Sequence, residues 1–235
     1  MKKYYSLVAE NKEANVTIYG DITSWPWIES DVSSYNLSKE IDGLDVDTIN
    51  VYINSYGGEV TEGWAIYNAL KRHKAKIRTV CDGLAASISA VIFAAGDERI
   101  MSNLSLLFVH NAWTYAAGNA DELRKTADDL QTMSDMSKKA FMDIINITEE
   151  ELDDLLTGES YITPQDALAK GFATSIVNDN TSKVPGQSAK KKIMERLLNQ
   201  VETPKEPINP PEPPKEPDPD PKQNKPRNLL AALFR

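Results

Sequence analysis

The chain has 235 residues, a formal net charge of −9, one Cys and two His. This composition excludes a disulfide framework and Cys-rich metal sites and leaves little room for a His-based metal centre. Residues 1–178 carry 15 basic and 27 acidic side chains (net −12) and residues 179–235 carry 11 and 8 (net +3), so the acidic part argues against nucleic acid as a partner. No apolar segment approaches the roughly 18 residues that are needed to span a bilayer. The basic N-terminus is not followed by the apolar segment of a signal peptide, so we expect a soluble, cytoplasmic protein.

Residues 1–178 alternate between strand-like and helix-like segments, which favours an α/β architecture with parallel strands and right-handed crossovers. Strands are predicted over residues 16–19, 48–54, 77–81, 99–101, 106–109 and 172–177. Helices are predicted over residues 31–41, 61–71, 84–95, 119–145, 148–156 and 165–170. Thr148 and Glu151 are expected to form a capping box, and Thr163 and Gly171 are expected to bound the last helix.

Three further segments follow this domain. Residues 179–203 are predicted to be a linker with a short amphipathic helix, because apolar residues recur there at helical spacing. Ten of the 13 prolines fall within residues 204–227, which predicts a disordered, extended linker because proline lacks an N–H group. Residues 228–235 form an apolar terminal peptide, for which docking onto a partner and a frayed end are the two alternatives.

Gly57 and Gly58 directly follow the predicted strand of residues 48–54. Glycine leaves backbone N–H groups open to a substrate that a side chain would obstruct. An ordinary strand-to-helix turn is the alternative.

Ser87 lies near the first turn of the predicted helix of small residues at 84–95. A serine there lies at the positive end of the helix dipole, beside N–H groups that have no helical partner, and this favours an oxyanion. The N–H groups of Ile88 and Gly58 are the candidate donors. An N-cap or packing role for Ser87 is the alternative, and Ser89, about 200° away around the helix, is the competing serine.

His110 ends the predicted strand of residues 106–109, whereas His73 lies among cations, where we expect a surface position. His110 is therefore the candidate if a histidine base is used, because neutral imidazole can take a serine proton near pH 7. A histidine that packs in the core or at a strand edge is the alternative.

Together these residues resemble the proteolytic subunit of the Clp protease family, and more closely the ClpP-like head-maturation proteases of tailed phages. The resemblance is carried by YINSYGG at 52–58, GLAAS at 83–87, AAG at 94–96, FVH at 108–110, YITPQDA at 161–167 and GFA at 171–173. It covers roughly residues 16–178, and the motifs follow the family order. It implies a ClpP/crotonase-like fold of repeated β-β-α units with a protruding helical handle.

The resemblance also implies a serine endopeptidase that needs no metal or cofactor. Ser87 would be the nucleophile and His110 the general base. The N–H groups of Gly58 and Ile88 would form the oxyanion hole. Substrate peptide would lie extended beside Gly57 and the stretch after His110, which begins at Asn111.

Glu159 stands where the family has its catalytic Asp, which is a departure from the family pattern. Carboxylates of either length serve as the third member of such triads on other folds. Asp153 and Asp154 are alternatives, although both fall inside a predicted helix. A second departure is Tyr56, where the family usually has Pro, and we expect it to alter the rim of the substrate groove.

The helix of residues 119–145 resembles the family's handle, through which rings stack. The resemblance thus implies a ring homo-oligomer, stacked in pairs, whose active sites face an enclosed chamber. An apolar stripe runs along this helix: Met133, Met136, Phe141, Met142 and Ile145. Packing of the stripe on the same subunit's core is the alternative.

Three functional hypotheses follow. In the first, the enzyme processes capsid or scaffold proteins during phage head maturation, in the host cytoplasm or inside proheads, with residues 204–235 as a recruiting tether. In the second, it is a housekeeping Clp-type peptidase fed by an unfolding ATPase. In the third, it is a non-catalytic ring or scaffold subunit, which the Glu159 departure keeps open. A crotonase-like acyl-CoA enzyme shares the fold class but needs no such serine, histidine and carboxylate.

Overall fold

The computed structural model describes residues 6–25 and 32–177. Eight strands occur in this part of the chain: β1 (Ser6–Glu10), β2 (Glu13–Tyr19), β3 (Thr48–Ser55), β4 (Lys76–Ala86), β5 (Glu98–Ser102), β6 (Leu106–Val109), β7 (Ser160–Ile162) and β8 (Ser175–Val177). The helices are α1 (Ser34–Asp42), α2 (Val60–Arg72), α3 (Ile88–Phe93), α4 (Ala120–Met142), α5 (Glu149–Thr157) and α6 (Pro164–Lys170).

The strands form one mixed sheet in the order β1-β2-β3-β4-β5-β8, with β6 beside β4 and β7 beside β6. The pairs from β2 to β8 and the β4–β6 pair are parallel, while β1–β2 and β7–β6 are antiparallel. The predicted α/β architecture with parallel strands is confirmed. The two strands that join antiparallel, β1 and β7, were not predicted from the sequence.

Burial alternates along β2, where Ala14, Val16 and Ile18 are fully buried and their neighbours are not. Successive side chains of a strand point to opposite faces, so one face of the sheet carries the core. The helices contribute their apolar stripes to that core, as Leu37 and Ile41 of α1 and Ile66 of α2 show. The rigid sheet then positions the loops at its strand ends.

The strand predicted to break at residues 82–83 instead continues to Ala86, and this corrects the predicted helix of residues 84–95. The first half of β4 pairs with β5 through Cys81, and its second half pairs with β6 from Leu84 onward. The side-chain Oδ1 of Asn54 accepts the Leu84 N–H at 3.2 Å. Long-range pairing thus overrides the local helix propensity of Leu84 and the two alanines that follow.

The helix ends follow the predicted capping chemistry. Thr148 and Glu151 form a complete capping box at α5, and Asn119 forms another with Glu122 at α4. Thr163 caps α6, which ends at Gly171 in the left-handed conformation with φ 86°. The start of α5 and both ends of α6 depend on neighbouring residues alone, which is why the sequence predicts them; the capping box of α4 was not predicted.

The N-terminal half of α4 projects from the domain. Residues 120–132 are exposed or only partly buried, whereas Ser134, Ala140 and Phe141 are buried. The predicted apolar stripe is therefore divided: Phe141 packs in the core, while Met136 is 48% and Met142 is 37% exposed. This geometry agrees with the expected handle.

The predicted linker, proline-rich segment and terminal peptide lie outside the described residues. Within residues 6–25 and 32–177, the helices are all too short or too polar to cross a membrane.

Candidate active site

The sheet brings Ser87 and His110 to the same edge. Ser87 directly follows β4 and His110 directly follows β6, and these parallel strands are paired with Ala86 opposite Phe108. The N–H of Ser87 donates to the carbonyl oxygen of Phe108 at 2.8 Å. Because the carboxyl ends of parallel neighbours meet at one edge, two residues far apart in sequence become adjacent.

Glu159 reaches the same edge through the antiparallel strand β7. Val109 of β6 lies opposite Ser160 of β7, so one step outward in this register leads to His110 on one strand and Glu159 on the other. Ser87, His110 and Glu159 all line a single open cleft with a volume of about 320 Å³. The structure thus brings the three predicted side chains together.

Within the described residues, no hydrogen bond joins the side chains of Ser87, His110 and Glu159. The His110 ring lies against Phe108, with 5.3 Å between ring centroids. Glu159 is exposed, while Ser87 and His110 are half-buried. Catalytic hydrogen bonds are often loose in unliganded sites and tighten when substrate binds.

The backbone of Ser87 is strained. Its φ of 55° and ψ of −127° lie outside the regions that residues with a Cβ readily adopt. Ser87 occupies the N-cap position of α3, yet its side chain makes no capping hydrogen bond. Such strain persists where the surrounding structure enforces it and clusters at functional sites. Here it leaves the hydroxyl free in the cleft.

Ser89, the competing serine, is fully buried. Its Oγ lies 2.7 Å from the carbonyl oxygen of Ala86 and 3.0 Å from that of Ser55. The Ser55 hydroxyl in turn accepts the Gly57 N–H at 3.0 Å and donates to the Gly20 carbonyl oxygen at 2.6 Å. Ser89 therefore serves to fix the turn after β3 against α3, and it is not available as a nucleophile.

Gly57 and Gly58 allow that turn to lie directly against Ser87. Their φ values are +98° and +142°, which disfavour any residue with a Cβ. A Cβ on Gly57 would lie 2.7 Å from the Ala86 carbonyl oxygen and 2.8 Å from the Ser87 Cβ. The turn thus packs so closely against Ser87 that only glycine fits. It is therefore not the ordinary strand-to-helix turn that the sequence left as an alternative.

The backbone around Gly58 leaves its N–H open. The neighbouring groups are paired, since Ile22 donates to the Gly57 carbonyl oxygen at 2.8 Å and Glu59 donates to the Ile22 carbonyl oxygen at 2.8 Å. The Gly58 N–H has no backbone acceptor among the described residues. Ile88 is the first residue of α3, so its N–H has no acceptor within the helix. In the described part of the chain, Ser87 thus has one unpaired N–H group next to it in sequence, that of Ile88, and another, that of Gly58, in the turn whose Gly57 packs against it.

Glu59 anchors the segment that lies against Gly58. Its carboxylate accepts the Thr23 hydroxyl at 2.8 Å, and the Ser24 hydroxyl and N–H at 3.0 and 3.1 Å. Burial acts to raise the pKa of Glu59, but these hydrogen bonds outweigh it and hold the pKa below its usual value. Glu59 is a positioning residue that the sequence analysis did not identify.

Aromatic side chains line the cleft. Of these, only Tyr56 was predicted from the sequence, at the rim of the substrate groove. Phe108, Trp113 and Tyr161 also line it, and the rings of Phe108 and Tyr161 are 4.6 Å apart. Tyr161 lies in β7 and Trp113 follows β6. Because the pairing of β6 with β7 was not predicted, the sequence did not place these two residues in one cleft.

Four other candidate residues are not among those that line the cleft. Asn111 is exposed and does not line it. Asp153 pairs with Lys138, its carboxylate oxygen 2.9 Å from Nζ, and Asp154 does not line the cleft. His73 is half-buried and not at the surface as expected, because its Nε2 lies 3.2 Å from the Leu44 carbonyl oxygen and its Nδ1 accepts the Ala75 N–H at 3.0 Å.

Replacing Gly58 by alanine is expected to lower kcat on the order of 10²-fold or more, the effect of losing one oxyanion donor. The new Cβ would lie 2.0 Å from the Ile22 carbonyl oxygen, so the backbone must move. Gly43→Ala is the matched control, because its Cβ would meet only ordinary contacts at 3.5 and 3.6 Å. Steady-state kinetics on one peptide compares the two variants, and equal activities would contradict the prediction.

Known proteins are similar to this chain over the residues that form the cleft. The family model for Clp protease matches residues 39–180, more than half of the chain. Proteolytic subunit 1 of the ATP-dependent Clp protease from Prochlorococcus marinus is 33% identical over 141 residues, which cover 59% of this chain and 71% of the relative. The proteolytic subunit of the ATP-dependent Clp protease from Borrelia garinii is 31% identical over 163 residues, which cover 60% of this chain and 82% of the relative. Subunit 3 from Arabidopsis thaliana chloroplasts is 31% identical, covering 56% and 43%. On the family match and these identities, the chain belongs to the Clp protease family, whose members are serine-type peptidases.

Proposed function

We propose that this protein is a serine endopeptidase in which Ser87 is the nucleophile and His110 the general base. The observation that carries the proposal is the junction of β4 and β6. There a strained serine with an unengaged hydroxyl shares one cleft with a histidine from the neighbouring strand. A serine hydroxyl is a weak nucleophile unless such a base takes its proton.

The reaction proceeds in two acyl transfers. Ser87 Oγ bonds to the peptide carbonyl carbon as its proton passes to His110, and the oxyanion is held by the N–H groups of Gly58 and Ile88. The C–N bond then breaks, and His110 returns the proton to the leaving amine. Water, deprotonated by His110, attacks the acyl-enzyme and restores the Ser87 hydroxyl while the acid product leaves.

Glu159 is proposed as the carboxylate that orients His110. Its support is the register of β6 and β7, which carries both residues to the same edge. A carboxylate beside imidazole fixes the tautomer and stabilises the imidazolium that forms when Ser87 is deprotonated. Glu159 also adopts a positive φ of 48°, so its backbone, like that of Ser87, is held by its surroundings.

We propose that copies of the chain assemble into rings and that paired rings stack through the projecting half of α4. The bound peptide would lie beside Gly57 and Asn111. The names of the relatives support a subunit that works with an ATPase, since they are proteolytic subunits of ATP-dependent proteases. Capsid or scaffold processing during phage head maturation stays a prediction from the resemblance. If a folded protein is cleaved only when an unfolding ATPase is present, the housekeeping Clp-type role is favoured. If a capsid protein is cleaved without an ATPase, the role in phage head maturation is favoured.

A fluorophosphonate probe tests the catalytic proposal on the assembled full chain. We expect labelling at Ser87 that is abolished in Ser87→Ala and retained in Ser89→Ala, because the Ser89 hydroxyl is buried and engaged. Peptide mapping by mass spectrometry locates the label. Absence of labelling in correctly assembled protein would overturn the proposal and favour the non-catalytic scaffold.

A further inference from the structure

The cleft beside Ser87 exposes three large aromatic side chains. Tyr56 is 79% exposed, Tyr161 is 65% exposed and Trp113 is 64% exposed, and all three line this one cleft. Large aromatic side chains gain most when a partner removes their surface from water. Three of them around one nucleophile form a surface suited to a flat apolar group.

A second pocket adjoins Ser87 and differs in size and access. Its volume is about 30 Å³, a tenth of that of the open cleft, and its walls include Val60, Ile88, Val91 and Phe141. Apart from Ser87, the hydroxyls at its lining are engaged: Ser134 accepts the Ala112 N–H at 2.9 Å, and Ser137 accepts the Trp64 Nε1–H at 3.1 Å. This narrow pocket has room for a short side chain only.

The oxyanion donors assign the two pockets to the two sides of the scissile bond. The carbonyl oxygen under attack must face the N–H groups of Gly58 and Ile88, and the narrow pocket is walled by Ile88 and by Val60, two residues after Gly58. It therefore receives the side chain on the acyl side. Ser87 and His110 line both pockets, whereas Ile88 lines only the narrow one. The open cleft, whose lining includes neither oxyanion donor, is therefore left for the residue on the amine side.

Building on the proposed function, we propose that the open cleft is a subsite for an aromatic side chain on the amine side of the scissile bond. Trp113 and Tyr161 are its specificity-determining residues, with Tyr56 at its rim. The substrate class is thus a peptide with a small residue before the cleaved bond and an aromatic residue after it. Glu159, the one carboxylate in the lining, faces the same cleft but is assigned to His110.

The test uses internally quenched peptides with Ala before the cleaved bond and Phe, Ala or Lys after it, incubated with the assembled full chain. Mass spectrometry of the products verifies which bond is cleaved. We expect kcat/KM for the Phe peptide to exceed that for the Ala peptide about tenfold, the scale of one or two aromatic contacts. The ratio should fall to about twofold in Trp113→Ala and in Tyr161→Ala.

Tyr35→Ala is the matched control, because Tyr35 is 74% exposed on α1 and does not line the cleft; it should retain the wild-type ratio. Equal rates for the Phe and Ala peptides, a preference for Lys, or an unchanged ratio in both aromatic variants would overturn the subsite. Labelling of Ser87 by the fluorophosphonate distinguishes failure of the aromatic subsite from failure of the proposed function. A labelled enzyme that lacks the Phe preference refutes the subsite alone, whereas an unlabelled enzyme that cleaves no peptide refutes the proposed function with it.

Discussion

Replacing His110 by alanine is expected to lower kcat on the order of 10⁴- to 10⁶-fold, as for other enzymes in which one histidine serves first as base and then as acid. Without the imidazole, the Ser87 hydroxyl keeps its proton and the leaving amine gains none. The two free N–H groups would remain, so a residual rate above that in water is expected. Single-turnover kinetics on a peptide substrate measures the loss.

His73→Gln is the control for the His110 variant, because His73 is the only other histidine in the chain. It lies outside the cleft, where its ring bonds the backbone of Leu44 and Ala75. We expect this control to alter the melting temperature without a comparable loss of kcat. A His110→Ala variant that assembles and retains activity within tenfold of wild type would refute the assignment of the base.

Replacing Glu159 by glutamine is expected to lower kcat on the order of 10³- to 10⁴-fold, the second-largest effect. The amide is nearly the same size but carries no charge to stabilise the imidazolium. Its N–H₂ group can also hold His110 in the wrong tautomer. Because Glu159 is exposed, the substitution should leave the unfolding free energy nearly unchanged, so kinetics and thermal unfolding together separate catalysis from folding.

Asp154→Asn is the matched control for Glu159, since Asp154 is also exposed but lies within α5 and does not line the cleft. Its activity should equal that of the wild type. Glu159→Asp should recover part of the activity lost in Glu159→Gln, because it restores the charge on a shorter stem. A large loss in Asp154→Asn together with full activity in Glu159→Gln would reassign the carboxylate.

Local sequence was sufficient for the caps of α5 and α6 and for the residue types that the site needs. The capping box of Thr148 and Glu151 and the end of α6 at Gly171 were confirmed, because each depends on hydrogen bonds among residues three or four apart. The resemblance named Ser87, His110 and Glu159 from short motifs. The cleft that they share depends on pairings that those motifs do not contain.

The prediction failed where two distant strands compete with local propensity. Residues 84–86 have the composition of a helix but extend β4, because they pair with β6. The antiparallel strand β7 was not predicted, since its three residues are too short to show a period. The aromatic walls depend on the same pairings, so Trp113 and Tyr161 could not be assigned to one subsite in advance.

The sequence by itself determined the alternation of strands and helices, the glycine positions, the two candidate serines and the single candidate histidine, because these follow from residue type and short-range spacing. The tertiary structure decided which serine is free, which carboxylate shares a cleft with His110 and which aromatic side chains line that cleft. The physical reason is register: pairing β6 with β4 on one side and β7 on the other carries residues from three separate segments to one edge.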